Sequence, residues 1–225
     1  MMSRTIRTIV VKRDVYESLR IDAGEQRKRW SEQGTLAVNV LSSPGAGKTT
    51  LLQATARRLA SRYRMAVLVG DLETDRDAQR LAPLLPAVQL TTGGACHLDI
   101  ALVRRGVEAL GNIPLDFLFI ENVGNLVCPA SHDLGEHLRV VLLSTTEGDD
   151  KPAKYPKIFR TSQALVITKT DLIPFVPFDV AAAEREARKI QPELACFQIC
   201  ALRDEGVGEW CKYLEEQRNR ILSMK

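Results

Sequence analysis

Apolar residues along the chain follow two rhythms. Between residues 11 and 33, Val15, Leu19, Ala23 and Trp30 recur at helical spacing among many charges, which predicts one amphipathic helix packed against the rest of the chain. Beyond it come seven short apolar, β-branched runs, at 36–41, 65–69, 88–90, 117–120, 140–143, 164–168 and 196–200, each succeeded by a loop and then a helical pattern. Strands that read as unbroken apolar runs are required where a sheet is covered on both faces, and helices over 50–61, 98–110, 180–190 and 207–222 supply the cover. The expectation is a doubly wound α/β domain, a mainly parallel seven-stranded sheet with helices on both faces. Ligands of such sheets lie beyond the carboxyl ends of the strands, so the loops starting at Ser42, Gly70, Thr91, Glu121 and Thr168 are where chemistry is expected. One long stretch, 144–160, is rich in Gly, Asp, Lys and Pro and reads as an irregular loop of the functional or mobile kind.

The chain has 225 residues, which fits one large domain with an appendage: a helical extension over 1–33 and a core over 34–225. An apolar fraction of 45% with 26% charged residues excludes disorder and fibrous rods. A net charge of only +3 is too small for a dedicated nucleic-acid binder, and the basic run Gln26-Arg27-Lys28-Arg29 reads as a solvated helix face. No apolar stretch has the length of a membrane span, and the amino terminus lacks the apolar core of a signal peptide, so a cytoplasmic protein without membrane contact is expected. Five cysteines, an odd number, argue against a disulfide framework.

After the first strand stands Ser42-Ser43-Pro44-Gly45-Ala46-Gly47-Lys48-Thr49-Thr50, a phosphate-binding loop with Ser42 where the strict pattern has Gly. Gly45, Ala46 and Gly47 let the backbone wrap phosphate oxygens, the helix after them adds its partial positive charge, Lys48 reaches the terminal phosphates, and the Thr49 hydroxyl can bind Mg²⁺. Mg²⁺ prefers hard oxygen ligands. Strand ends offer Asp71 and Glu121, and Asp77 comes after Asp71 on a segment that can sense the terminal phosphate or position the attacking water; Asp75 and Asp77 also suit a helix amino terminus. Lys48 and Asp77 are the catalytic candidates.

After the sixth strand, Thr168-Lys169-Thr170-Asp171 is similar to the Asn-Lys-x-Asp guanine reader of GTPases, with Thr in the first place. The Asp171 carboxylate can accept from guanine N1–H and the exocyclic amine, whereas adenine has no N1–H. Lys169 lays its stem along the base, and Ala201 and Leu202, after the seventh strand, offer backbone to it. Thr168 cannot reproduce every bond of an Asn amide, which weakens the expected guanine preference.

Cys96 and His97 stand after the Gly93-Gly94 turn that ends the third strand, and Cys128 stands after the fourth. Thiolate and imidazole suit Ni, Zn or Cu, and three donors give an open site, or one shared with a second subunit across a two-fold axis. Cys196, Cys200 and Cys211 read as core, and His132 and His137 as surface residues without a role.

Together the strings VLSSPGAGKTT at 40–50, TGGACHLD at 92–99, IENVGNLVCPA at 120–130 and TEGDDKP at 146–152 resemble the HypB family of hydrogenase nickel-incorporation GTPases. The resemblance implies a SIMIBI-type P-loop GTPase that uses GTP and Mg²⁺ and delivers Ni²⁺ to the large subunit of a [NiFe]-hydrogenase. It implies a homodimer when GTP is bound, with Cys96, His97 and Cys128 holding nickel or zinc at the interface, and a HypA-type nickel chaperone as partner. Residues 151–156 are the expected dimer contact, and slow turnover is expected from the lack of an obvious arginine finger in the motifs. Residues 1–33 contain neither Cys nor His, so the nickel storage of some relatives is not expected from them. Three alternatives remain: a urease-maturation GTPase, whose family carries Cys-Pro-His instead; an ATP-using metallochaperone or kinase, suggested by Thr168; and a metal-binding scaffold without meaningful hydrolysis.

Overall fold

The computed structural model describes residues 12–111 and 113–223. The first eleven residues, part of the expected extension, lie outside it, as does the Val15 side chain. Helix α1 (Lys12–Gln33) leads into β1 (Leu36–Ser42), α2 (Lys48–Leu59), β2 (Met65–Asp71), α3 (Arg76–Leu81), β3 (Ala87–Thr91), α4 (Ile100–Ala109) and β4 (Phe117–Glu121). The second half continues with β5 (Leu138–Ser144), α5 (Lys151–Lys154), α6 (Pro156–Arg160), β6 (Ala164–Thr168), α7 (Val180–Ile190), β7 (Ala195–Ile199) and α8 (Val207–Ser223).

All seven strands form one parallel sheet in the order β3-β2-β4-β1-β5-β6-β7. β1 lies between β4 and β5, and the chain leaves it first towards one edge and later towards the other. That reversal opens a crevice at the carboxyl end of β1, the expected ligand position in open α/β sheets. The apolar runs become strands because both of their faces are covered. Val38, Val40, Phe117 and Phe119 pack with Leu51, Leu59 and Trp210 of α2 and α8, while Leu41, Val141, Leu165 and Ile167 pack with Ala183 and Ala187 of α7. A third cluster joins Trp30 of α1 and Val103 of α4 to Ala37, Leu68, Leu118 and Ile120.

Several expectations are corrected. The stretch 144–160 is not irregular throughout: α5 and α6 occupy it, each with Pro near its start, where the missing N–H is harmless. The solvated basic run is only half solvated, because Gln26 is buried and Arg27 donates to Asp133 Oδ1 at 2.5 Å and to the Glu136 carbonyl at 2.8 Å. Helix α4 starts two residues later than the apolar pattern suggests, because the Asp99 carboxylate caps it by accepting from Leu102 N at 2.7 Å.

His137 is half-buried and, contrary to its reading as a surface residue without a role, holds two elements together. Its Nδ1 accepts the Ala37 N–H at 3.0 Å and its Nε2 meets Ser31 Oγ at 3.0 Å, tying α1 to the start of β1. Burial, then the nearby Arg27 charge, push its pKa down to about 4.

Candidate nucleotide and metal site

The loop leaving β1 enters α2 with Gly45 at φ 72° and Gly47 at φ 95°, a region L side chains rarely adopt. Lys48 is buried just inside the helix and donates to Ser42 Oγ at 3.1 Å. Ser42, which replaces the first glycine of the strict pattern, thus holds the lysine. Burial lowers the Lys48 pKa, opposed first by the Glu121 carboxylate and then by Asp77, Asp71 and Glu147.

Glu121, at the end of β4, is only 2% exposed and accepts from Thr49 Oγ1 at 2.8 Å through Oε1. Its Oε2 is buried with no hydrogen-bond partner, and burial lifts the pKa to about 7 against the pull of Lys48 and Thr49. An orphaned carboxylate oxygen beside a threonine hydroxyl is a hard donor set of the kind Mg²⁺ selects. Asp71, at the end of β2, commits Oδ1 to the N–H groups of Glu73 and Thr74 at 3.0 and 2.7 Å. Asp77 sits in the first turn of α3, in keeping with the helix amino terminus that Asp75 and Asp77 suit, and is paired with Arg80 at 3.1 Å. Arg80 also donates to Thr50 Oγ1 at 3.2 Å and Gln53 Oε1 at 3.3 Å, which staples α3 to α2. The signal for Arg80 was present in its i,i+3 spacing from Asp77.

On the other side of the loop lies a cavity of about 210 Å³. Gly47, Thr50, Lys169, Asp171, Ala201 and Leu202, all read from the sequence, line it with Thr168, Leu172 and Cys200. Thr168 Oγ1 donates to the Ala46 carbonyl at 2.7 Å, so this residue braces the phosphate loop. Lys169 takes a left-handed backbone (φ 58°), and its carbonyl accepts from Thr145 Oγ1 at 2.7 Å. Cys200 is buried but faces this cavity; burial and a hydrogen bond to Asp171 hold its thiol up. Its reading as plain core is corrected, while Cys211 is buried core and Cys196 is half-buried on the opposite sheet face.

The third cluster lies on the same sheet edge. Cys96 Sγ is 3.9 Å from His97 Nδ1, and a hydrogen bond with Cys128, then burial, raise the Cys96 pKa. Asn125, not singled out in the sequence, accepts from the N–H groups of Val127 at 2.7 Å and Cys128 at 3.4 Å and so fixes this turn. His132 is not a surface residue without contacts: its ring stacks on that of His97, centroids 3.7 Å apart. Among the described residues no three His, Cys, Asp or Glu side chains converge closely enough to hold a metal ion as they stand.

One segment joins these clusters. It starts at Glu121 on Thr49, passes Gly124, where a Cβ would come within 2.9 Å of Pro44 Cα, and ends at Cys128 beside Cys96. Below it a buried polar chain runs from Asn122 through Asn39 (3.2 Å) to Glu136 (3.1 Å), and Arg139 links Glu136 to the His132 carbonyl.

A parallel sheet with a glycine-rich loop and lysine after its central strand, a buried acid at the neighbouring strand end and a base-sized cavity beside the loop defines a P-loop NTPase. The sequence profile of the CobW/HypB/UreG nucleotide-binding domain matches residues 36–198. Hydrogenase maturation factor HypB of Azotobacter chroococcum mcd 1 is 44% identical over 217 residues, covering 96% of this chain and 71% of the relative. The crystal structure of HypB from Helicobacter pylori in complex with nickel is 37% identical, with a TM-score of 0.86 over 90% of this chain and 96% of that one. HypB from Archaeoglobus fulgidus is 34% identical, with a TM-score of 0.83 over 90% of this chain and 99% of that one. The chain belongs to the HypB family of hydrogenase maturation factors.

Proposed function

We propose that this chain is a GTP-hydrolysing nickel metallochaperone that inserts Ni into the large subunit of a [NiFe]-hydrogenase, with GTP-dependent homodimerisation coupled to metal binding. The observation that carries this reading is the segment from Glu121 to Cys128, which touches the phosphate loop at one end and Cys96 at the other. Occupancy of the phosphate loop acts on the placement of Cys128 through the eight residues from Glu121 to Cys128.

The loop N–H groups and Lys48 bind and orient the phosphates, where their charge stabilises the transferring group. Thr49, Glu121, Asp71 and Asp77 are the residues that would hold Mg²⁺, which supplies charge neutralisation on the phosphates when bound. Asp77 orients the attacking water once its pairing with Arg80 is released, and unchanged GTP turnover in a folded Asp77→Ala variant would remove that role. Asp171 supports guanine over adenine because its carboxylate has two donors to accept from on guanine. Cys96, His97 and Cys128 take the cargo nickel, and zinc can occupy the same donors. A two-fold partner completes their open set, with residues 151–156 in the contact, and a HypA-type chaperone passes nickel onward.

The test is a calorimetric nickel titration of the full chain, run with GDP and with a non-hydrolysable GTP analogue, with Cys128→Ala as control. A switch requires nickel to bind the two nucleotide states with different free energy, and linkage then changes nucleotide affinity by the same factor. Equal nickel affinity and stoichiometry in both states would refute the coupling.

A further inference from the structure

The cluster at the sheet edge holds one more donor than the Cys-His pair and the later Cys supply. Cys96 Sγ lies 3.9 Å from His97 Nδ1, the His97 and His132 rings stack with centroids 3.7 Å apart at 19°, and Cys128 is near enough to Cys96 to raise its thiol pKa. His132 Nδ1 lies 2.9 Å from the Cys128 carbonyl oxygen. A carbonyl only accepts, so Nδ1 carries the proton and Nε2 presents a bare lone pair. A metal-ligating histidine shows this pattern, one ring nitrogen donating to a backbone carbonyl and the other left to the metal. The carbonyl belongs to Cys128 itself, so the bond ties the imidazole to the turn that carries a thiol. Two parallel rings cannot both aim a lone pair at one ion, so ligation requires the stack to open. A cavity of about 160 Å³ borders His132 on the side of Asp99 and Ala130, so the ring is not packed in from every direction.

We propose that His132 is a fourth donor of the metal site, binding a borderline-soft divalent cation such as Ni²⁺ through Nε2 when its ring swings out of the stack on His97. The proposal rests on the metal reading of Cys96, His97 and Cys128 given above. With it, each protomer brings two sulfurs and two imidazoles to the site, so that a two-fold partner adds to a set of four donors and not of three.

Two substitutions separate ligation from the other contacts His132 makes. His132→Phe keeps a ring for the stack and removes the nitrogens; His132→Gln keeps a donor for the Cys128 carbonyl and removes the ring. If His132 ligates, both variants lose nickel affinity about tenfold or more, on the scale of disrupting a metal-ligand set, and X-ray absorption of the loaded full chain counts one imidazole fewer. Wild-type affinity and an unchanged imidazole count in His132→Phe would overturn the proposal and leave His132 as a stacking residue; the same result in His132→Gln would leave it as a hydrogen-bonding one. Cys128→Ala is run alongside: if it too binds nickel like the wild type, the underlying metal reading has failed, whereas its loss with His132→Phe unaffected sinks only the fourth donor. Circular dichroism confirms that each variant is folded.

Discussion

Replacing Glu121 by Gln in the protein free of metal and nucleotide should make stability less sensitive to pH. The Glu121 carboxyl is 2% exposed, and burial raises its pKa from 4.5 to about 7. Because the folded value lies above the unfolded one, the native state retains a proton that the unfolded chain has already released. The wild type therefore loses stability as pH rises from about 4.5 to about 7, and the loss is complete above that. The gap between those values corresponds to about 3 kcal/mol at 1.36 kcal/mol per pH unit. The Gln amide leaves a buried N–H group without an acceptor, but that cost is the same at every pH and cancels when two pH values are compared. Urea denaturation in EDTA at pH 5 and pH 8 should show the variant gaining about 1 to 3 kcal/mol on the wild type between them. A stability difference that does not change with pH would refute the buried, orphaned carboxylate on which the Mg²⁺ reading rests.

Other perturbations test separate contacts. Gly124→Ala places a Cβ within 2.9 Å of Pro44 backbone, so thermal melts with and without GDP should show a loss of about 1 to 3 kcal/mol and weakened GDP binding; wild-type behaviour would contradict the packing of the two loops. Thr168→Val strips the Ala46 carbonyl of its 2.7 Å hydrogen bond and should cost about 1 to 2 kcal/mol in chemical denaturation, while Thr168→Ser stays near the wild type. The His137 pKa of about 4 lies below its unfolded value of 6.5, so the unfolded chain gains a proton that the native state refuses. Stability should fall by at most about 3 kcal/mol as pH drops from 6.5 to about 4, and a folded His137→Gln variant, tracked by denaturant melts, should lack that component.

The strand runs and the phosphate loop were legible because each is a local pattern: burial on both sheet faces demands continuous apolar residues, and wrapping a phosphate demands glycines, a lysine and a threonine at fixed offsets. The cavity beside the phosphate loop was legible for the same reason, since six of its lining residues sit in short loops at strand ends and at the start of α2. Helix α3 was legible only through the acidic residues at its start, because six residues are too few to show a period, and α5 and α6 escaped because their prolines and charges read as loop. His132 and His137 escaped because their partners are distant or unrelated in sequence: His132 meets His97 across two strand-end loops, and His137 binds Ala37 on a strand that precedes it by 100 residues.

The sequence by itself determined the parallel α/β class, the phosphate loop, the residues that gather around the cavity beside it and the family, because these depend on residue type at short spacing. Only the tertiary structure decided that Glu121 is left with an unpaired oxygen, that Gly124 presses the Cys128 segment onto Pro44, and that His132 lies on His97. Desolvation and close packing arise between segments brought together by the sheet order β3-β2-β4-β1-β5-β6-β7, and no local pattern carries that order.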